Sequence, residues 1–424
     1  MNDDDLTTYL GRELHGRSNA MHGSSLALAD VKQKARSIRR RRAATAVGGA
    51  VAAVALIVPT AALASHHRGH STEPLPAVTQ SVTPSPTPTT DGQQPPPGVL
   101  DVSDLPTGAA PQVDYLESGT FHAVDGSTYD VGTRHTPDQL VELADGSLVW
   151  HTTDRNGDAY VEIRDPDGTY HDPARISSDL SVNAAHSIVA WLTPSGQVTI
   201  WEGWASQPRP LGDPVPGNDV RIGPVTGSGD VGPGQTGPDC RQSSCSVIVN
   251  VHDGPGQPWE VSESGSQPLR DGGYLDVNDV SQAGLTIGFT RITDYRTCSK
   301  LLGGGEFQGF ATCQNQLVSL SPDGRLIHAL PSNGDGIGPN GIAMYDLAGN
   351  RLFERSATEK AQSYFLGETW EDAAHLLLPT YQDGRWAVVR IAADGSMEYA
   401  VAPAKGAYDG RPFILPIGGA LPGA

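Results

Sequence analysis

Asp154, Asn156 and Asp158 alternate along one short loop with Gly157 between the last two, an order of side-chain oxygens that a Ca²⁺ loop uses. Glu162 follows and extends the set. The sixth-position glycine and twelfth-position glutamate of an EF-hand are absent, and Asp, Asn and Gly are equally the residues of a plain hairpin turn. Calcium at Asp154, Asn156 and Asp158 is one expectation, and a bare turn is the other. The second group with chemistry is Cys240, Cys245, Cys298 and Cys313, all downstream of the one long apolar run. An even number of cysteines in an oxidising compartment predicts disulfides, and four allow three connectivities. Sequence proximity favours Cys298 with Cys313 and Cys240 with Cys245. A zinc site would need a CxxC pair or a His/Cys cluster, and neither is present.

The remaining motifs point away from catalysis. Gly227-Ser228-Gly229-Asp230-Val231-Gly232 fits GxGxxG, but Pro233 and Gly234 follow where a phosphate-cradling helix would have to start. There is no GxSxG elbow, HExxH helix or Walker loop. Trp191, Trp201, Trp204 and Trp370 are either sugar-stacking platforms or buried aromatics of a β core, the second being favoured. His66, His67 and His70 fall in a Pro/Thr-rich stretch that offers a metal no fixed geometry. No cofactor is implied beyond the calcium alternative.

The elements that would position these groups are short strands. Asp-Gly pairs recur at 125–126, 145–146, 167–168, 253–254, 271–272, 323–324, 383–384 and 394–395, most of them flanked by alternating apolar residues. Asp-Gly supplies the positive-φ positions of hairpins. Three turns share a longer form, Asp165-Pro166-Asp167-Gly168, Thr193-Pro194-Ser195-Gly196 and Ser321-Pro322-Asp323-Gly324. So many short strands over some 300 residues predict an all-β fold, a β-propeller rather than a sandwich. Residues 136–171, 174–212, 218–270, 273–329, 333–356 and 362–402 each supply a unit, and 113–131 with 411–416 pair to close a ring of seven blades. Six is the alternative, because 333–356 is short for a blade.

The propeller, residues 112–418, is followed by a short C-terminal tail, 419–424, and preceded by three different segments. Residues 66–111 are rich in proline, including Pro84, Pro86, Pro88 and Pro95 to Pro97, which predicts a disordered, polyproline-biased stalk. Residues 43–65 carry no charge and as a helix would rise about 34 Å, enough for a transmembrane helix. Arg36 and Arg39 to Arg42 precede the run, and a basic flank keeps its side cytoplasmic. A cleaved signal peptide remains the alternative to a retained anchor, since Ala62-Leu63-Ala64 resembles a cleavage site. Residues 1–42 hold 9 Lys/Arg against 5 Asp/Glu, whereas residues 112–424 hold 19 against 39. The acidic part is a poor match for nucleic acid or anionic lipid.

The Ser321-Pro322-Asp323-Gly324 turn, Trp370-Glu371-Asp372 before an apolar strand, and Trp386 to Ile391 before Asp394-Gly395 resemble WD40-like and TolB-like propeller repeats. Tail, anchor and propeller together resemble uncharacterised membrane proteins of high-GC bacteria, some of which look like regulators of extracytoplasmic-function sigma factors. The tail departs from the zinc-binding anti-sigma pattern in having no cysteine. What the resemblance implies is a single-pass protein of the cell membrane, N-terminus cytoplasmic, whose extracytoplasmic propeller is a non-catalytic sensor or scaffold for a protein or cell-wall ligand. Leu6, Leu10 and Leu14, and Leu28, Val31, Ala35 and Ile38, would form helical faces for a cytoplasmic protein partner. The alternative is an exported propeller enzyme, a glycan hydrolase or lyase using channel-mouth carboxylates. If the orientation is right, a cysteine introduced within residues 1–42 resists an impermeant thiol reagent in intact cells while one within the stalk, 66–111, reacts. Labelling of the tail would reverse the topology.

Overall fold

The computed structural model describes residues 97–132, 137–203, 205, 207–227, 245–253, 256–269, 273–281, 283–293, 296–303, 309–332 and 339–418. The expected tail, membrane span, most of the stalk, the C-terminal tail, Trp204, Cys240, the three stalk histidines and the GxGxxG run beyond Gly227 lie outside them. No helix among the described residues is long and apolar enough to cross a membrane.

Among the described residues the Asp-Gly pairs at 125–126, 145–146, 167–168, 323–324, 383–384 and 394–395 do close hairpins, but mostly in a wider form than a two-residue turn. At Asp145-Gly146 only the glycine has positive φ, its N–H donates to the Leu143 carbonyl at 2.8 Å, and Asp145 Oδ1 accepts from the Ser147 amide at 2.9 Å. That is a type I turn followed by a glycine bulge, with the aspartate side chain stapling it. The same pattern recurs at Asp125, Asp167 and Asp394, whose Oδ1 atoms each accept from the amide two residues on at 2.8 Å. Asp383-Gly384 is the tight form, both residues lying at positive φ.

These hairpins build seven sheets. Blade 1 combines Tyr115–Glu117, Thr120–His122 and Thr128–Asp130 with Phe413–Ile414 from the far end of the chain. Blade 2 is Pro137–Glu142, Leu148–Thr153, Ala159–Arg164 and Ala174–Ile176, and blade 3 is Ser181–Val182, Ile188–Leu192, Val198–Glu202 and Arg209–Pro210. Blade 4 is Val220–Thr226, Ser246–Val251, Trp259–Ser262 and Gly265–Pro268. Blade 5 is Asp276–Val280, Thr286–Thr293, Arg296–Leu302 and Phe310–Thr312, tied at its rim by the Cys298–Cys313 disulfide. Blade 6 is Asn315–Leu320, Leu326–Pro331, Gly341–Asp346 and Arg351–Ser356. Blade 7 has a split inner edge, Tyr364–Phe365 and Thr369–Trp370, then His375–Gln382, Arg385–Ala392 and Met397–Lys405.

Seven blades therefore replace the six-blade alternative, and two unit boundaries move. Ala174–Ile176 is the outer strand of blade 2, not the start of blade 3, and Asn315–Leu320 is the inner strand of blade 6. The stretch 333–356 looked short because its first two strands had been counted with the unit before it. Strand alternation sends successive side chains to opposite faces, and each face packs on a different neighbour. Val149, Val161 and Ile163 of blade 2 meet Leu180, Val182, Val189, Trp191 and Trp201 of blade 3, whereas Leu148 and Trp150 meet Leu116 and Phe121 of blade 1. The buried hydrophobic clusters of the described residues all lie at such seams, one for each pair of neighbours.

Residues 97–111 of the expected stalk, with Gln112, are bound to the ring. Gly98–Val99 adds a parallel fifth strand to blade 6, and Leu100 and Val102 are buried in the seam with blade 7. The Val102 amide donates to Gln382 Oε1 at 2.8 Å, and Pro106 and Gly108 bracket Tyr399 with two backbone hydrogen bonds of 2.9 Å. Arg390 then donates to the Ala109 and Ala110 carbonyls at 3.1 Å each while pairing with Glu371 and Glu398. Glu371 Oε1 also accepts from the Gln112 amide at 2.6 Å. Proline count alone marked this strap as free chain, yet from Gly98 onward it carries the apolar and amide groups that dock it. Arg390 is 7% exposed and Glu371 4%. Stranding a buried charge is worse than removing the pair, so Arg390→Met is expected to destabilise by about 3 kcal/mol. Adding Glu371→Gln should recover part of the loss in urea titrations, and an unchanged midpoint for Arg390→Met would discount the strap's ionic lock.

Candidate functional site

Among the polar groups that the fold leaves unsatisfied, two sets include titratable side chains from neighbouring blades. The first is sealed in the seam of blades 6 and 7, where His328 Nδ1 lies 3.6 Å from Glu368 Oε1. Both residues are buried, and neither imidazole nitrogen, neither carboxyl oxygen, nor Thr369 Oγ1 has a hydrogen bond. Burial pushes the Glu368 carboxyl up to about 8 and the His328 imidazole down to about 3, so both are neutral near pH 7. On the ring face where inner strands end, burial and a hydrogen bond with Asp114 push Glu142 up to about 9. The signs follow from linkage. Stability from the raised carboxyls is complete below about 4.5 and is lost as pH rises through 8 to 9, whereas that from His328 is present above 6.5 and lost as pH falls toward 3.

The second set lies on one face of the ring, where Asp138 is exposed. In each blade the loop between second and third strands and the link from the outer strand to the next inner strand fall on one face of the ring, which defines a channel mouth. Asp138 is the second residue of the inner strand of blade 2, is exposed, and accepts from Thr153 Oγ1 at 2.7 Å. Beside it on the second strand, across from Gln139, lies His151, 9% exposed with both ring nitrogens unpaired. Gln139 Oε1 accepts the Leu180 amide at 2.8 Å and so fixes the link that carries Asp179. Burial raises the Asp179 carboxyl, the Asp138 charge raises it further, and His151 and Arg221 act against the rise. Arg221 is the second residue of the inner strand of blade 4 and is in no ion pair among the described residues.

The mouth continues onto blade 5. His252 Nε2 is 2.7 Å from Asp276 Oδ1 and its Nδ1 is 3.8 Å from Asp219. Asn250 holds blades 4 and 5 in register by accepting from the Val277 amide at 2.9 Å and donating to its carbonyl at 3.0 Å. Three blades thus place a carboxylate, a raised-pKa carboxyl, a free imidazole and a free guanidinium on a rigid rim. Such a set donates and accepts hydrogen bonds toward a polar ligand.

The sequence-derived sites fall elsewhere. Asp154, Asn156 and Asp158 stand in the loop between second and third strands of blade 2, on the mouth face, but serve the hairpin. Asp154 Oδ1 accepts from the Asn156 amide at 2.8 Å and the Asp158 amide at 2.9 Å, Asp158 pairs with Arg175, and Glu162 accepts from Thr152 at 3.2 Å. Their oxygens are turned to the turn, to Arg175 and into the blade rather than to one centre. Among the described residues no group of three or more His, Cys, Asp or Glu is arranged to hold a metal. Cys298–Cys313 is bonded as expected; Cys245 is also disulfide-bonded, and its expected partner Cys240 is outside the described residues. Trp191, Trp201 and Trp370 are buried in seams. Asp138, His151, Asp179 and Arg221 carry no motif. The one trace is a histidine interrupting the buried run Leu148-Val149-Trp150.

The described residues form a seven-bladed β-propeller. Among solved structures it is similar to the Myceliophteria thermophila Cps50 (Swd1) β-propeller domain, at 9% identity and a TM-score of 0.42, covering 65% of this chain and 88% of that one. It is also similar to the C-terminal WD40 domain of Sif2, at 10% identity and TM-score 0.39 over 61% and 71% of the two chains. A third is YCF48 bound to D1 peptide, at 14%, TM-score 0.41, over 70% and 88%. Neither a family model nor a curated protein matches the chain.

The expected pH profile tests the buried carboxyls: wild-type melting temperature falls between pH 5 and 9, and Glu142→Gln with Glu368→Gln flattens that fall. An unaltered slope in the double variant would show that neither carboxyl is held neutral.

Proposed function

We propose that this chain is a single-pass, membrane-anchored extracytoplasmic binding protein, a sensor or scaffold that performs no turnover. Residues 43–65 are its anchor, residues 1–42 meet a cytoplasmic protein, and sigma-factor regulation is the proposed output of that contact. The ring takes a polar ligand, a cell-wall component or a protein segment, at its mouth. The observation that carries this reading is His151, nine-tenths buried, unpaired at both nitrogens, and set beside Asp138, Asp179 and Arg221 on three adjacent blades. Leaving such groups unsatisfied costs about 1–3 kcal/mol each, a cost a ligand recovers on binding. Rigid inner strands hold them in place before the ligand arrives, which lowers the entropy of recognition.

Purified residues 97–424 are to be screened against wall glycans and peptides for both binding and product formation. A ligand is expected to bind without turnover, and His151→Leu and Arg221→Met should each weaken it at least about tenfold while leaving the fold intact. Sustained product release, abolished by Asp138→Asn or Asp179→Asn in a folded protein, would replace this reading with that of a propeller enzyme.

A further inference from the structure

The seam between blades 1 and 2 opens into a cavity of about 250 Å³ lined by Gly132, Glu162, Tyr170, His171 and Pro173. It is built on the third strand of blade 2 and the run beside it, whereas the mouth is built on inner strands. Glu162 is its chemical centre. The residue is 5% exposed, its Oε1 accepts from Thr152 Oγ1 at 3.2 Å, and no Lys, Arg or His nitrogen lies within 4.0 Å among the described residues. Trp150 is directly across the ladder, yet its indole N–H is buried without an acceptor and does not serve the carboxylate.

Among the described residues the nearby cations are engaged elsewhere. Arg164 lies over the Tyr129 ring at 4.9 Å, and His171 Nε2 is 2.9 Å from Asp165. A carboxylate taken out of water needs a counter-charge or donors in place of its lost hydration, and here the described residues supply one long hydrogen bond. The cavity beside it leaves room for a cation from outside. Tyr170 forms a wall: it is 48% exposed, its hydroxyl is fixed on the Val131 carbonyl, and it meets Trp150 edge-on at 6.2 Å. An aromatic ring and a carboxylate that line one cavity offer the two contacts an organic cation uses.

We propose that this cavity binds a small organic cation, an alkylammonium or guanidinium head, with Glu162 as counter-charge and Tyr170 as aromatic wall. The volume is below that of pockets for whole drug-sized ligands, so a head group rather than a bulky molecule fits. The net charge of −19 raises the local concentration of such cations. The shared chemistry is the same for a free amine and for a lysine or arginine side chain.

The full-length chain is to be titrated with n-propylammonium and methylguanidinium, with n-propanol as neutral control, by calorimetry and tryptophan fluorescence. Saturable binding of one cation per chain and none of propanol is expected. Glu162→Gln should weaken it at least about tenfold, and Tyr170→Leu, at a half-exposed position that tolerates change, about threefold to fivefold. His151→Leu should leave it unchanged, which separates this site from the mouth. Putrescine and a lysine blocked at both backbone ends are then compared, and either ranking upholds ammonium recognition and names its source. Absence of saturable cation binding, equal binding by propanol, or full affinity in a folded Glu162→Gln or Tyr170→Leu chain would overturn the proposal.

Discussion

No blade of this protein owns a core. A four-stranded sheet buries one face against the blade before it and the other against the blade after it, so every seam is half of two neighbours' stability. The consequence is visible in Val149 and Trp150, adjacent in sequence and buried in different seams. An open ring would leave two apolar faces in water, and closure is therefore the condition on which the other contacts rest. Phe413–Ile414 meets it by pairing with Tyr115–Glu117, and the strap of residues 97–112 spans blades 6 and 7 on its way into blade 1.

Closure also explains where polar chemistry can be kept. Inside the seams an unpaired group is a liability, and Arg390 shows the remedy, with two carboxylates and two backbone carbonyls around one guanidinium. At the mouth Asp138 is exposed, and His151 beside it keeps both ring nitrogens buried and unpaired. Asp179 is held near its unusual state by opposed influences, burial and Asp138 on one side and His151 with Arg221 on the other. Such a balance is sensitive to anything that docks beside it.

The fold class was legible because turns are local. Asp145-Gly146 and its counterparts need a positive-φ glycine and an acceptor side chain at one spacing, and both are visible in a single line of sequence. Blade boundaries were less legible, since Ala174–Ile176 and Asn315–Leu320 look alike whether they end one sheet or begin the next; only pairing decides. The strap was misread because proline content outweighed Leu100 and Val102, whose burial depends on a groove made some 220 to 300 residues later. The mouth was illegible for the same reason. Asp138, His151, Asp179 and Arg221 come together through the ring, not through spacing, whereas Asp154, Asn156 and Asp158 share one hairpin loop in which Asp154 Oδ1 accepts from the Asn156 and Asp158 amides.

The pairing of Phe413–Ile414 with Tyr115–Glu117 sets an order of events during synthesis. The inner strand of the first blade is made after all the other blades, so Val113 and Tyr115, on the face that packs against blade 7 and Phe413, wait until those residues have been synthesised. A polypeptide cut short anywhere before residue 413 cannot finish the circle, however many of its middle blades are intact. Damage at the C-terminus is thus displayed at the N-terminal blade as exposed apolar surface, the signal by which chaperones and proteases separate incomplete chains from finished ones.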